Sequence, residues 1–167
     1  MLEHVLSEDW ENGGFGLYIH WPFCAAKCPY CDFNSHVRNN INQKQWLRSY
    51  LSEINRVSKN TSNRSLNSVF FGGGTPSLIE PWVINDILNE IQKYWKTKDI
   101  FEVTLEANPG SVDAKNFKAY RSAGVNRVSM GIQSLNEKDL KALGRTHTVK
   151  EALSAFEIAQ QNFPAVS

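Results

Sequence analysis

Extended segments alternate with amphipathic helices along the chain, which predicts an α/β fold with a parallel sheet and crossover helices. Two further observations bear on it: the later strands carry one small or polar face, which implies a cavity or lumen on that side, and the glycine- and cysteine-rich loops follow strand ends. The first candidate strand covers residues 16–20, the second 68–71, the third 101–107 and the fourth 127–133, and a fifth starts at about Pro164.

Between the first two strands, residues 41–57 place Leu47, Tyr50, Leu51 and Ile54 at i, i+3, i+4 and i+7, the spacing of one helical face. A second helix follows Pro81, a residue suited to a first turn, with Ile84, Ile87, Leu88, Ile91 and Trp95 on one stripe. A third, from about Asp113 to Ser122, stops at Gly124. A short helix over 137–143 stops at Gly144, and Thr148-Val149-Lys150-Glu151 has the capping-box pattern that opens a last helix to about Gln161. The order is four βα units and the start of a fifth strand. The chain reads as ending within an element, and residues 1–15 as an extension preceding the core at 16–167.

The 167 residues carry 18 basic and 17 acidic side chains, a net charge of +1, with 41% hydrophobic residues. That balance offers no electrostatic reason to bind nucleic acid or anionic membrane. The first fifteen residues have four carboxylates and no apolar core of a leader, and no apolar run reaches the roughly 20 residues of a membrane span, so a cytoplasmic protein without an integral membrane segment is expected.

All three cysteines, Cys24, Cys28 and Cys31, fall within eight positions directly after the first strand. An odd, clustered set is a poor disulfide framework and a good metal-ligand candidate. Three thiolates at this spacing can hold three corners of an iron–sulfur cubane and leave the fourth iron open to a cofactor. Zinc with His20 or His36 as fourth ligand is the competing reading, and unligated thiols a third.

At the end of the second strand stands Gly72-Gly73-Gly74-Thr75-Pro76-Ser77, where glycines admit a ligand close to the backbone and can offer it N–H groups. In the third strand Phe101, Val103 and Leu105 alternate with Glu102, Thr104 and Glu106; in the fourth, Val128, Met130 and Ile132 alternate with Arg127, Ser129, Gly131 and Gln133. Glu106 and Gln133 thus close neighbouring strands at the end where parallel folds place their sites. Arg145 lies in a polar connection and can meet a carboxylate. His36 and His147 read as ordinary loop histidines.

The run from Tyr18 through Cys24, Cys28 and Cys31 to His36 resembles the signature of radical S-adenosylmethionine (SAM) proteins. Gly72 to Ser77, Glu106-Ala107-Asn108-Pro109-Gly110, the run from Gly124 to Ser134 and Leu143-Gly144-Arg145 extend the similarity over residues 16–164. Within that superfamily it resembles the oxygen-independent coproporphyrinogen III oxidase-like branch, most closely its heme-chaperone members. The resemblance implies a partial TIM-like (β/α)6 barrel, of which about four units are present. It implies a [4Fe–4S] cluster on Cys24, Cys28 and Cys31, with S-adenosylmethionine on the fourth iron and Tyr18, Gly73, Gly74, Thr75, Glu106, Gln133 and Arg145 around it.

The oxidases carry Cys-Gly-Cys where this chain has Cys31-Asp32-Phe33. That departure disfavours the alternative of an enzyme that decarboxylates coproporphyrinogen III, and leaves a chaperone that binds heme and passes it to an acceptor protein, with an electron donor reducing the cluster. An inactive metal-binding unit is a third reading. The resemblance also links heme binding to a His-Asn-x-x-Tyr-Trp motif in the second half of such proteins, beyond these 167 residues.

Overall fold

The structure, a computed structural model, describes residues 10–111 and 114–167. Helix α1 (Trp10–Gly13) leads into β1 (Phe15–Trp21), followed by the short strands β2 (Phe23–Cys24) and β3 (His36–Val37) and by α2 (Gln43–Ser58). Then come β4 (Leu66–Gly73), α3 (Pro81–Tyr94), β5 (Thr97–Ala107), α4 (Ala114–Ser122), β6 (Arg127–Met130), α5 (Glu137–Ala142), α6 (Val149–Asn162) and β7 (Ala165–Val166). Five strands form one parallel sheet in the order β1-β4-β5-β6-β7, the chain order expected of successive right-handed βα units, while β2 and β3 pair separately. The expected parallel α/β architecture is the one found.

The register explains the two-faced strands. Ile19, Phe71, Leu105 and Val128 are successive partners across four strands and are all buried. They pack with Ile84, Ile87 and Ile91 of α3 in one core, where full burial of such side chains contributes roughly 1.5–3 kcal/mol each. One residue along, Tyr18, Phe70, Thr104 and Arg127 are also successive partners, and they make up the opposite, more polar face. Arg127 there pairs with Glu102 at 3.5 Å.

Local signals account for the helix ends. Asn42 caps α2 by accepting from the Gln45 N–H, and Thr148 and Glu151 form the full capping box on α6. Gly124 and Gly144, both at positive φ, follow α4 and α5 as expected. The expected helix start near Asp113 lies outside the described residues.

Several boundaries differ from the sequence expectation, as at β4, which runs Leu66–Gly73 where 68–71 is expected. β5 begins at Thr97 rather than Phe101, because Leu66 pairs with Thr97 and an irregularity precedes the Ser68–Glu102 pair. Trp95 leaves the α3 stripe for extended backbone, yet stays buried and donates from Nε1 to the Thr61 carbonyl at 2.9 Å. β6 ends at Met130 rather than Gln133: Ile132 N–H bonds Met130 O and Ser134 N–H bonds Ile132 O, so two tight turns replace the ladder. Among the described residues no helix is long and apolar enough to cross a membrane.

Candidate functional site

At the C-terminal ends of β4, β5 and β6 lies a cavity of about 300 Å³. Its walls include Cys24, Cys28 and Cys31, the glycine turn at Gly73, Gly74 and Thr75, and Glu106, Gln133 and Arg145. Sequence elements separated by up to 121 positions, from Cys24 to Arg145, therefore meet in one place.

The cysteine loop is closed by pairing. Phe23 is the register partner of His36, and the His36 N–H donates to the Pro22 carbonyl at 2.7 Å, so residues 24–35 return to their starting point. Within the loop, Cys31 N–H donates to Cys28 O at 3.1 Å. Cys24 is buried, Cys28 and Cys31 are half-buried, and all three are free thiols. Among the described residues no three His, Cys, Asp or Glu side chains converge closely enough to hold a single metal ion.

The glycine turn acts differently from the sequence expectation of N–H groups presented to a ligand. Gly73 N–H donates to Glu106 Oε2 at 3.2 Å, Gly74 N–H to Trp21 O at 2.7 Å and Thr75 N–H to Phe23 O at 2.8 Å. All three donors are spent inside the protein, the first on β5 and the other two on the segment that enters the cysteine loop. What the glycines supply is proximity: a Cβ on Gly74 would stand 3.0 Å from Cys24 Sγ and 2.5 Å from Phe23 O. Gly73, at φ +116, has a backbone that L side chains rarely adopt.

Glu106 is half-buried, and that burial raises its pKa, with the Gly73 N–H acting in the opposite sense. Arg145 joins three loops: Nη2 donates to Asn108 Oδ1 at 2.7 Å and to Gly131 O at 2.5 Å, and Nη1 lies 3.3 Å from Cys28 Sγ. Its Nε is buried without a partner among the described residues. Gln133 sits at φ +73, in the left-handed region that non-glycine residues adopt at a cost.

Tyr18 is the one expected residue outside the cavity walls. It is exposed on the polar sheet face, stacked on Phe70 with ring centroids 6.0 Å apart. Partial burial and the Glu106 charge both raise its pKa.

Asn108 is a residue the sequence reading passed over. It donates to Thr75 Oγ1 at 3.1 Å while accepting from Arg145, bridging the glycine turn to the guanidinium. Its place directly after Glu106-Ala107, at a strand end, was the available signal. His147 lies in the loop between α5 and α6, as expected, but is buried there: its Nε2 lies 3.2 Å from Ile132 O, and burial and Arg145 lower its pKa.

A parallel sheet with clustered cysteines, a glycine turn and a carboxylate at one end defines a class of α/β cofactor-binding proteins. The sequence model of the Radical SAM superfamily matches residues 18–167, and the chain belongs to that superfamily, whose members use a [4Fe–4S] cluster and S-adenosylmethionine. Within it, the chain is 47% identical over 149 residues to the heme chaperone HemW of Haemophilus influenzae, covering 86% of this chain and 39% of that protein. It is 40% identical over 148 residues to the mitochondrial radical S-adenosyl methionine domain-containing protein 1 of Bos taurus, covering 89% and 34% respectively. Coproporphyrinogen III oxidase HemN of Escherichia coli shares the fold, with a TM-score of 0.80 at 24% identity over 90% of this chain and 35% of that one. The chain thus spans less than two fifths of these relatives' lengths.

Proposed function

We propose that the chain is the cluster- and cofactor-binding part of a heme chaperone of the radical SAM type, which binds heme and hands it to an acceptor protein. The carrying observation is the convergence of all three cysteines with Glu106, Gln133 and Arg145 on one cavity. The donor set fits a cubane. Three free thiols line one cavity with Gly74, which has no side chain to fill it, and three thiolates can hold three corners of such a cluster.

On this reading Cys24, Cys28 and Cys31 hold the cluster. Glu106, preset by the Gly73 N–H, accepts hydroxyl hydrogen bonds from the cofactor, Gln133 presents its amide, and Arg145 faces the cofactor carboxylate with its geometry fixed by Asn108 and Gly131. When bound, the cluster supplies one-electron reduction and radical chemistry, for which the protein provides placement and exclusion of water. Its partners are a heme or porphyrin ligand, an acceptor protein and an electron donor.

The choice of chaperone over oxidase rests on Asp32 and Phe33, both exposed beside the cavity, where the oxidase pattern requires a further cysteine. The test is anaerobic reconstitution of the wild type and of Cys28→Ala, followed by EPR of the reduced protein with and without S-adenosylmethionine. A signal that the cofactor perturbs, and that Cys28→Ala lacks, is expected. A signal indifferent to the cofactor, or unchanged in Cys28→Ala, overturns the assignment.

A further inference from the structure

β6 ends at Met130, and the chain from Gly131 to Gln133 is no longer part of the strand. Side chains from the connection between α5 and α6 hold it instead. Arg145 donates to the Gly131 carbonyl at 2.5 Å, and His147, two positions later, has Nε2 3.2 Å from the Ile132 carbonyl. Two successive carbonyls ahead of Gln133 are therefore gripped by one short stretch. Arg145 also lines the cavity, whereas His147 is buried and does not.

The bond from His147 runs in one direction. A carbonyl oxygen only accepts, so Nε2 carries a hydrogen and donates it. Burial and the Arg145 charge lower the pKa of the ring, so the neutral imidazole makes this bond at neutral pH. The Ile132 oxygen has two lone pairs and both have partners, since Ser134 N–H donates to it as well at 3.0 Å.

The consequence falls on Gln133. The Ile132 carbonyl and the Gln133 N–H belong to one planar peptide unit, which cannot turn without changing ψ of Ile132 and φ of Gln133 together. Gln133 sits at φ +73, a conformation that an L residue keeps only where its surroundings impose it. Holding the carbonyl holds that φ, and φ decides where the side chain leaves the backbone. Gln133 lines the cavity together with Gly131 and Arg145.

We propose that His147 is a positioning residue for the cofactor: by holding the Ile132 carbonyl it keeps Gln133 in the left-handed conformation that places it at the cavity. The proposal rests on the reading of Gln133 as a contact of S-adenosylmethionine and names the residue that presets it. Without His147 the turn populates other conformers, and the apparent affinity falls with the fraction of molecules left competent to bind.

The experiment is an equilibrium titration of the anaerobically reconstituted protein with S-adenosylmethionine, for the wild type, His147→Leu, His147→Gln, Gln133→Ala and the double variant His147→Leu/Gln133→Ala. Leucine fills the buried site without a donor, and glutamine keeps an N–H group near the place of Nε2. His147→Leu is expected to bind about tenfold more weakly, the size of one lost hydrogen bond, with unchanged iron, sulfide and circular dichroism. His147→Gln is expected to stay within about threefold of the wild type. In the Gln133→Ala background His147→Leu should cost nothing further, because the side chain it positions is gone. Wild-type affinity in His147→Leu, or an equal loss in both backgrounds, overturns the proposal while a weakened Gln133→Ala keeps the cofactor contact standing. Loss of iron in His147→Leu, or no rescue by glutamine, overturns it as well. Gln133→Ala that binds as tightly as the wild type removes the contact itself and the proposal with it, and a wild type that binds no S-adenosylmethionine does the same.

Discussion

Replacing Gly74 by alanine would put a methyl carbon 2.5 Å from the Phe23 carbonyl oxygen, 2.8 Å from its carbonyl carbon and 3.0 Å from Cys24 Sγ. Two of these neighbours are backbone, so no rotamer change relieves the clash; the strand end or the cysteine loop has to move. Overpacking of this kind costs about 1–3 kcal/mol. The shift also strains the Gly74 N–H bond to Trp21 O and the Thr75 N–H bond to Phe23 O, each worth about 1 kcal/mol. With both bonds lost the total is roughly 3–5 kcal/mol, which at a urea slope of about 2 kcal/mol/M lowers the unfolding midpoint by about 1.5–2.5 M. The displaced Cys24 should in addition reduce iron retained after reconstitution. Gly110→Ala is the control, since among the described residues its added Cβ meets nothing nearer than Thr146 Oγ1 at 3.5 Å. Gly74→Ala with a wild-type midpoint and full iron content would refute the idea that the glycine turn exists to let β4 touch the cysteine loop.

Glu106→Gln keeps an acceptor for the Gly73 N–H and removes the charge. Because burial raises the folded pKa of Glu106, its contribution to stability is full below the ordinary carboxylate range and is lost as pH rises through its folded value. The variant should therefore unfold at higher denaturant than wild type at neutral pH, with the difference vanishing in acid, and bind S-adenosylmethionine about tenfold more weakly by equilibrium titration. At Gln133, φ +73 makes glycine the less strained truncation, so Gln133→Gly should be about 1 kcal/mol more stable than Gln133→Ala in denaturant melts, while both lose cofactor affinity. Thr148→Ala removes the capping box of α6 and should cost about 1 kcal/mol in the same assay without altering iron content.

The parts of the fold legible in the sequence were those carried by local chemistry. The Thr148–Glu151 box and Gly124 and Gly144 after helices each specify a geometry within a few residues, and each is found, while the alternation in 101–107 holds at Glu102 and Val103 but Thr104 is buried as well as Leu105. Strand ends were less legible, because a strand continues only as far as its neighbour does: Thr97 joins β5 through Leu66, and β6 stops at Met130 when tight turns take over its hydrogen bonds. At the site, residue positions were readable but hydrogen-bond partners were not. Nothing local says that the N–H groups of Gly73, Gly74 and Thr75 are consumed by Glu106, Trp21 and Phe23, since those contacts depend on the tertiary fold. The same holds for His147, whose burial follows from packing beside Ile132, fifteen positions away. Tyr18 shows the reverse case: its motif is plain in the sequence, yet it lies on the polar sheet face beside the cavity, in electrostatic reach of Glu106.

The most direct test of the account is a count of iron, acid-labile sulfide and zinc per chain after anaerobic reconstitution. About four irons and four sulfides, as a cubane requires, held by the wild type and lost together in Cys28→Ala, is the predicted result. Stoichiometric zinc with no sulfide would contradict it and make the cysteine loop a structural metal site.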